Sequence, residues 1–437
     1  EHKVFEQSIQ SRAANKPFVF YEGPPSANGM PGIHHVVGRT IKDIFCRYKT
    51  LQGFRVERKG GWDTHGLPVE LKVEAEMGIT KDDIGTKVTV EEYNAKCRET
   101  VMQYKDVWDD LTNKMGFWLD LQNPYITFDN KYIESVWWII KQIYDKDYMY
   151  KGYTIQPYSP AVGTGLSSHE LNQPGTYKEV TDTTVAAQFI TSEEAVNKAF
   201  GIITPMGLPT YFIAWTTTPW TLPSNTALAV GKEIEYALVQ TFNPYTFQLC
   251  QVVLAKALIS KWFKPENENA SFEDYKPGDK NIPYIILQIC KGNQLAGIEY
   301  EQLLPYEANA KKHIEGDAWK VIVGDFVSTE DGTGIVHIAP SFGADDNRVA
   351  KQNNIGSLTM VDKAGKFIEG MGELSGRYVK DYINEADYKS PDIDIAIKLK
   401  TENKAFNVQK YAHNYPHCWR TDKPILYYPL DSWFIAM

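Results

Sequence analysis

Cysteine and long apolar segments are both scarce in this sequence. Its 437 residues include five cysteines, an odd number scattered along the chain, so we expect no disulfide framework and favour a reducing, cytoplasmic setting. Apolar runs such as 136-VWWII-140 are far too short to cross a bilayer, and the N-terminus carries no secretory signal pattern. The sequence therefore argues against a disulfide-rich secreted protein and predicts no membrane partner.

Positive charge is also in short supply. The formal net charge is −9, which argues against a broad nucleic-acid-binding surface on this chain alone. A polynucleotide would need a local basic patch or further parts of the protein. The sequence starts at Glu1 without a methionine and stops in a strand-like run at Met437, so we expect it to be a fragment.

The first part of the chain has the order strand, helix, strand. Apolar spacing predicts a buried strand over 17–23, a helix from 34 to about 52 and a second strand over 55–58. Two further helices are predicted over about 91–116 and 131–146. This order predicts an α/β fold built on a sheet.

The middle of the chain follows a different pattern. From about residue 183 to 379, short β-branched and aromatic runs alternate with Gly/Pro turns, and strand character returns over 424–435. A chain of this length with 43% hydrophobic residues is enough for two or three domains at roughly 100–200 residues each. We predict an α/β domain over 1–180 and 393–437 that is interrupted by a β-rich domain over 181–392.

Two glycine-punctuated loops follow the two predicted strands and are candidates for one site. The first, 23-GPPSANGMPGIHH-35, opens a helix whose N-terminal amides suit a phosphate, and His34 and His35 could add donors. The second, 61-GWDTHGLP-68, brings the Asp63 carboxylate to the end of the next strand, where ligands collect in open α/β sheets. Neither contains a Gly-x-x-x-x-Gly-Lys or Gly-x-Gly-x-x-Gly motif, which argues against ordinary kinases and dehydrogenases. The alternative for the histidines is a polar, capped turn.

These loops are similar to those of a known family. The segments 20-FYEGPPSANGMPGIHH-35 and 61-GWDTHGLPVELKVE-74 resemble the synthetic core of class I aminoacyl-tRNA synthetases, specifically the isoleucine-specific enzymes. The segments 215-WTTTPWTLPSNTALAV-230 and 332-GTGIVHIAPSFGADD-346 resemble their editing domain, and valine- and leucine-specific relatives have arginine where Thr218 stands. The resemblance runs in order from about residue 17 to 437 and implies a Rossmann-like nucleotide-binding core interrupted by an editing domain.

The resemblance implies a two-step ligation. ATP, with Mg²⁺, and L-isoleucine would form an enzyme-bound adenylate, whose aminoacyl group then passes to the 3′-terminal ribose of tRNA(Ile). The turn that handles the ATP phosphates would comprise Gly32, His34 and His35. Because the first step is an in-line attack on phosphorus, positioned charge would supply most of the catalysis. A monomer is expected.

The resemblance also assigns groups to the amino acid. Asp63 would pair with the α-ammonium group of isoleucine beside Pro24, and Trp433 would form an aromatic wall of the pocket. Two simpler interpretations stay open: Asp63 could cap the helix near Leu67, and Trp433 could be a core residue.

A second, hydrolytic site is implied by the inserted domain. Isoleucine and valine differ by one methylene, worth only about 1–3 kcal/mol, a limit for which isoleucine-specific synthetases are the standard example. The resemblance assigns the hydroxyls of Thr216, Thr217 and Thr218 to the terminal adenosine, the ester and an attacking water. It assigns Asp346 to the α-ammonium group of mischarged valine and His337 to the exclusion of isoleucine. On its own, a threonine-rich strand would indicate only β propensity.

A metal site is not expected in this chain. His413, His417 and Cys418 lie close in sequence but lack a second cysteine at a zinc-like spacing, so zinc is unlikely.

The sequence departs from the family in two places. The usual signature His-x-Gly-His is here Gly32-Ile33-His34-His35, and we expect His34 to take over the contact of the displaced histidine. The Lys-Met-Ser-Lys-Ser loop and an anticodon-binding domain are absent from the sequence, so we expect this chain to form adenylate poorly, although its editing domain could still hydrolyse valyl-tRNA. A valine-specific synthetase and a non-catalytic tRNA- or nucleotide-binding scaffold stay open as alternatives. The altered signature favours the second.

Overall fold

The structure, a computed structural model, describes residues 3–203 and 206–437. Its backbone forms two units: one holds the chain up to Tyr150 together with Ile435–Met437, and the other holds Lys151–Phe434. The fold is mixed α/β, as predicted, with parallel pairing in the first unit and largely antiparallel pairing in the second. The limits 181 and 392 that we assign to the inserted domain stay a prediction.

The first unit is mainly helical. Its elements are α1 (Val4–Gln10), α2 (Ile33–Leu51), β1 (Lys59–Trp62), α3 (Leu67–Met77), α4 (Val90–Val101), α5 (Lys105–Lys114), β2 (Asp120–Ile126) and α6 (Asn130–Tyr144). Strands β1 and β2 are parallel, with Gly61 opposite Tyr125 and Trp62 opposite Ile126. The loop that carries Asp63 therefore leaves the sheet at the carboxyl end of β1, as predicted.

The predicted strands before this loop are shifted or missing. Segment 17–23 makes only an isolated parallel bridge, between Pro17 and Arg55, and Val19 and Tyr21 are exposed. The prediction of a buried strand is wrong, because pairing with the neighbouring segment ends at this bridge and the side chains beyond it face solvent. The second strand, predicted over 55–58, lies later in the chain than predicted: it is β1, which begins at Lys59.

The long helix predicted over 91–116 is two helices, α4 and α5. At the break, the amide N–H of Tyr104 donates to the carbonyl oxygen of Ala27 in the opening loop at 2.9 Å. An amide used by a remote segment cannot continue the i→i−4 ladder, so this tertiary contact explains the break. Apolar spacing could not reveal it, because Val101 and Trp108 on either side are both buried and are spaced as in one helix.

The second unit is built from sheets. Its elements are β3 (Met149–Ser159), β4 (Thr164–Gly165), α7 (Ser168–Leu171), β5 (Tyr177–Thr191), α8 (Glu193–Phe200), β6 (Thr210–Thr216), β7 (Ala227–Val230), β8 (Glu235–Phe242), β9 (Leu249–Ala255), α9 (Ile259–Trp262), β10 (Tyr284–Lys291), β11 (Lys320–Val323), β12 (Ile335–Ile338), α10 (Ala344–Gln352), α11 (Pro391–Thr401), β13 (Ala405–Pro416) and β14 (Leu426–Ile435). The first residues of β3 and the last of β14 belong to the other unit.

These strands form three sheets. The largest has the order β10-β8-β9-β6-β5-β13, and the others have the orders β11-β7-β12 and β14-β3-β4. One cluster of buried apolar side chains joins the first two sheets and includes Phe212 of β6, Leu228 of β7 and Leu238 of β8. Strand β13 pairs with β5 although it lies beyond the predicted limit of 392. The sheet that carries β6 is thus completed by a segment far along the chain.

None of the helices in the described part of the chain has both the length and the apolar character needed to cross a bilayer.

We expect Gly61→Ala to destabilise the first unit, because a Cβ atom there would lie 2.3 Å from the ring of Tyr125. That ring is held in place: its hydroxyl donates to the carbonyl of Glu22 at 3.2 Å and its face stacks on Tyr132. Overpacking of this kind lowers the free energy of unfolding by about 1–3 kcal/mol, which urea denaturation measures. The control is Gly38→Ala inside α2, where an added Cβ meets nothing within 4 Å. It should raise the free energy of unfolding by about 0.5–1 kcal/mol, and equal effects at both positions would contradict the account.

Candidate functional sites

Helix α2 begins at the histidine pair. Gly32 is its N-cap, and the amide N–H of Gly32 donates to Nδ1 of His35 at 2.9 Å. Because Nδ1 accepts this bond, the proton of the neutral His35 ring is on Nε2, which is free to donate to a ligand. The ring centroids of His34 and His35 lie 3.8 Å apart. A Cβ on residue 32 would lie 2.8 Å from Cε1 of His34, so the glycine leaves the space that the His34 ring occupies.

The surroundings of His35 favour its neutral form. Burial lowers the pKa of His35, and His34 and Arg39 lower it further. The edge of the ring meets Trp108, with the centroids 4.8 Å apart. The indole N–H of Trp108 donates to the carbonyl of Gly29 at 2.9 Å. Trp108, which lies within the helix predicted over 91–116 and was not predicted as a site residue, therefore joins the opening loop to the histidine turn.

The loop that carries Asp63 lies against the opening loop. The amide N–H of Asp63 donates to the carbonyl of Pro25 at 3.0 Å, next in sequence to Pro24. Helix α3 starts at Leu67 without a side-chain cap, so the interpretation of Asp63 as a helix cap is wrong. Among the described residues, the Asp63 carboxylate accepts one hydrogen bond, from the amide of His65 at 3.3 Å. Its remaining lone pairs are available to a cationic ligand.

Thr127, directly after β2, fixes this loop. Its hydroxyl oxygen accepts the amide N–H of Thr64 at 3.0 Å and lies 2.8 Å from the Thr64 hydroxyl and 2.9 Å from Nδ1 of His65. Parallel pairing of β1 with β2 brings Thr127 beside a loop more than sixty residues earlier in the chain. No pattern in the sequence indicated this contact.

Trp433 lies on β14 in the second unit. Its side chain is 52% exposed, so it does not belong to a buried core of this structure. The ring centroid lies 5.2 Å from the ammonium group of Lys151, and both residues line a cleft of about 430 Å³ with Tyr153 and Asp431. The assignment of Trp433 to an isoleucine pocket stays a prediction.

Hydroxyl groups at the end of β6 form a connected chain. The Thr216 hydroxyl oxygen accepts the amide N–H of Thr218 at 3.1 Å and lies 3.3 Å from the Thr218 hydroxyl. The hydroxyl of Thr221 donates to the carbonyl of Thr218 at 2.8 Å and lies 3.0 Å from Nε2 of His337 on β12. Thr217 lies half-buried between its neighbours. Thr221 thus joins Thr218 to His337, and it was not among the predicted site residues although it lies inside the motif 215–230.

These contacts determine which ring nitrogen of His337 carries the proton. The single proton of the Thr221 hydroxyl is used on the Thr218 carbonyl, so Nε2 of His337 is the donor in the bond to Thr221. Burial lowers the pKa of His337 to about 4, which keeps the ring neutral near pH 7. Nδ1 then carries the lone pair, and it is buried without a hydrogen-bond partner among the described residues.

Asp346 lies in the first turn of α10. One of its carboxylate oxygens accepts the amide N–H of Ala339 at 2.8 Å, and Ala339 directly follows β12, which carries His337. Burial raises the pKa of Asp346 to about 6, and the nearby charge of Asp345 acts in the same direction. A carboxylate in this environment favours a cationic partner, because pairing offsets its desolvation.

The histidines and cysteine near residue 415 have protein partners. His413 lies 3.2 Å from the Asp182 carboxylate, and Nδ1 of His417 lies 2.9 Å from the carbonyl of Tyr415. Cys418 packs in an apolar cluster. Within 3–203 and 206–437, no group of three or more potential ligand residues is arranged to hold a metal ion. That zinc is unlikely here stays a prediction.

We expect Thr127→Val to loosen the Asp63 loop, because valine keeps the shape of threonine but leaves the amide of Thr64 without its acceptor. An unsatisfied buried donor costs about 1–3 kcal/mol, so hydrogen exchange at the amides of Thr64 and His65 should accelerate about tenfold or more. Thr40→Val is the matched control, since the Thr40 hydroxyl bonds only its own helix at an exposed position. Unchanged exchange in Thr127→Val would show that the hydroxyl does not hold the loop.

Comparison with known proteins identifies the family of this chain. A family model described as tRNA synthetases class I (I, L, M and V) matches residues 1–437. The isoleucine–tRNA ligase of Cytophaga hutchinsonii is 61% identical over 458 residues, covering 100% of this chain and 40% of that protein. The isoleucine–tRNA ligase of Bacteroides fragilis is 54% identical over 465 residues, with the same coverage of 100% and 40%. The chain therefore spans 40% of the length of these curated relatives.

Among solved structures, the editing domain of the P. knowlesi cytosolic leucyl-tRNA synthetase aligns at 12% identity with a TM-score of 0.34, covering 56% of this chain and 99% of that chain. A similarity this low assigns no residue a role.

Proposed function

This chain belongs to the class I tRNA synthetases of the isoleucine, leucine, methionine and valine group, and we propose that the complete protein ligates L-isoleucine to tRNA(Ile). We propose further that the second unit hydrolyses valyl-tRNA(Ile) formed in error. The choice of isoleucine is supported by the 61% identity to an isoleucine–tRNA ligase. The hydrolytic role rests on one observation, the hydrogen-bonded chain from Thr216 through Thr218 and Thr221 to His337.

In the ligation step, the carboxylate of isoleucine attacks the α-phosphorus of ATP as the bond to pyrophosphate breaks. The amides at the start of α2 and Nε2–H of His35 suit phosphate oxygens, because both are hydrogen-bond donors. Asp63 suits the α-ammonium group of isoleucine, since its carboxylate has acceptor capacity left. Mg²⁺ enters with ATP as part of the substrate. The role of this chain is to hold the reactants in line.

In the hydrolytic step, water attacks the ester carbonyl carbon of valyl-tRNA. The bond between that carbon and the ribose oxygen breaks, and the ribose oxygen takes up a proton. The hydroxyls of Thr216 and Thr218 would orient the water and the ester, and Asp346 would pair with the α-ammonium group. His337, fixed by Thr221, would limit the size of the side chain that enters. A rigid neutral imidazole suits this task better than a mobile charged one.

The test of ligation is ATP–pyrophosphate exchange by the complete protein with isoleucine and with valine. We expect isoleucine to be preferred about 10–200-fold in kcat/KM, the range that one methylene allows. A preference for valine would establish the valine-specific alternative. Absence of exchange with both amino acids would establish the non-catalytic scaffold.

The test of hydrolysis follows the pH dependence of kcat/KM for valyl-tRNA(Ile) with this chain. Because the pKa of Asp346 is raised to about 6, its anion is present above that pH and is lost as the pH falls through it. We expect kcat/KM to decline below about pH 6. His337, with a pKa of about 4, does not titrate in this range.

Two variants identify the group responsible. Asp346→Asn should lower kcat/KM about tenfold or more, the value of a charge-assisted hydrogen bond, and should remove the inflection. Asp345→Asn changes an exposed neighbour that pairs with Arg348, and it should keep wild-type kcat/KM near pH 7. Burial also raises the pKa of Asp392 to about 6, so an inflection that survives in Asp346→Asn would contradict the assignment to Asp346.

A further inference from the structure

The turn that follows the threonines is held by a residue from much later in the chain. Pro219–Ser224 forms a short, buried 3₁₀ helix directly after Thr218. The amide N–H of Trp220 within it donates to a carboxylate oxygen of Asp392 at 2.8 Å. Asp392 lies in the first turn of α11 and is 1% exposed. A buried carboxylate therefore serves as the acceptor for a backbone group of the candidate hydrolytic site.

Asp392 is fixed by contacts on its other side. Its second carboxylate oxygen lies 3.2 Å from the hydroxyl of Ser390, a donor to it, and 3.5 Å from the ammonium group of Lys380. Lys380 in turn donates to Asp182 on β5 at 2.9 Å, and His413 on β13 lies 3.2 Å from the same oxygen of Asp182. The network thus ties α11 to two neighbouring strands. Pairing with Lys380 is what makes burial of the Asp392 charge tolerable.

Trp220 connects this anchor to both halves of the candidate site. Its ring, 3% exposed, meets Phe342 edge-on with the centroids 5.1 Å apart. Phe342 directly precedes Gly343, the N-cap of the helix that carries Asp346. The residue after Trp220 is Thr221, which bonds His337. A shift of the Trp220 backbone would therefore move Thr221 relative to His337 and disturb the packing beside Asp346.

We propose that Asp392 is a positioning residue for hydrolysis: its carboxylate oxygen sets the backbone of Pro219–Ser224, and through it the geometry of Thr218, Thr221 and His337. This inference rests on the proposed hydrolytic function. In this role Asp392 contacts neither the ester nor the attacking water. What the turn needs from residue 392 is an acceptor atom at this place, so asparagine, which keeps the oxygen, should serve, and leucine, of similar volume, should not.

The experiment measures kcat and KM for valyl-tRNA(Ile) hydrolysis by this chain in three variants, each normalised to the folded fraction from circular dichroism. Asp392→Leu should lower kcat about tenfold or more, because displacements near 1 Å cost up to about 10²-fold, while KM stays within about twofold. Asp392→Asn should retain most of the wild-type kcat. Asp394→Leu, on the same helix but paired only with Arg377 at the surface, is the matched control and should behave as wild type.

A second readout covers the case in which Asp392→Leu is less stable. Hydrogen exchange at the Trp220 amide should accelerate in Asp392→Leu and not in Asp392→Asn. Normal kcat per folded molecule in Asp392→Leu, or equal losses in the leucine and asparagine variants, would overturn the positioning role. If the wild-type chain hydrolyses no valyl-tRNA(Ile), the proposed function fails and the positioning role fails with it. Hydrolysis by wild type with an unaffected leucine variant rejects the positioning role alone.

Discussion

The Thr221 hydroxyl has one proton, and the geometry of the candidate hydrolytic site depends on where that proton goes. It is directed to the carbonyl of Thr218, so His337 must act as the donor toward Thr221 and its ring is fixed as the Nε2–H tautomer. Burial lowers the pKa of His337 to about 4, so its ring is uncharged near neutral pH. The direction of the hydrogen bond from Thr221 to Thr218 therefore determines how the Thr221 hydroxyl pairs with the His337 ring.

Two carboxylates at the candidate hydrolytic site, Asp392 and Asp346, are removed from solvent, and their partners differ. Asp392 is paired with Lys380, and one of its carboxylate oxygens accepts the amide N–H of Trp220. The Asp346 carboxylate accepts backbone amides, that of Ala339 at 2.8 Å among them, and has no cation among its recorded contacts within the described residues. A carboxylate that is desolvated and not neutralised by the protein is the one suited to a cationic ligand. The contrast supports different roles for the two carboxylates, one in holding the turn and one in binding.

The family and the fold class were easier to predict from the sequence than the hydrogen bonds that hold the candidate sites together. The mixed α/β fold and the family were predictable, because 20–35, 61–74, 215–230 and 332–346 are long local motifs. The structural roles of Thr127 and Asp392 could not be predicted. Each residue holds a segment more than sixty residues away through hydrogen bonds that leave no local pattern in the sequence. The break between α4 and α5 was missed for a related reason: the Tyr104 amide is taken by Ala27, and apolar spacing does not record backbone pairing.

The exchanged order of Gly32 and His34 is a further case in which the structure shows a contact that the sequence motif does not reveal. From sequence alone, a missing histidine at position 32 raised the question of lost function. The structure shows the His34 ring lying over the position where residue 32 has no side chain, and His35 offering Nε2–H from a turn that its own Nδ1 stabilises. The altered order is compatible with a donor-rich helix start. That His34 takes over the contact of the displaced histidine stays a prediction.

In the proposed hydrolytic function, the region of Thr216, His337 and Asp346 binds the valyl end of tRNA and rejects the isoleucyl end. The most direct measurement is calorimetric titration of this chain near pH 7 with non-hydrolysable amide analogues of valyl- and isoleucyl-adenosine. The account predicts that the valyl analogue binds about tenfold or more tightly than the isoleucyl analogue, because one excess methylene against a fixed imidazole is worth about 1–3 kcal/mol. Equal affinities for the two analogues would contradict it.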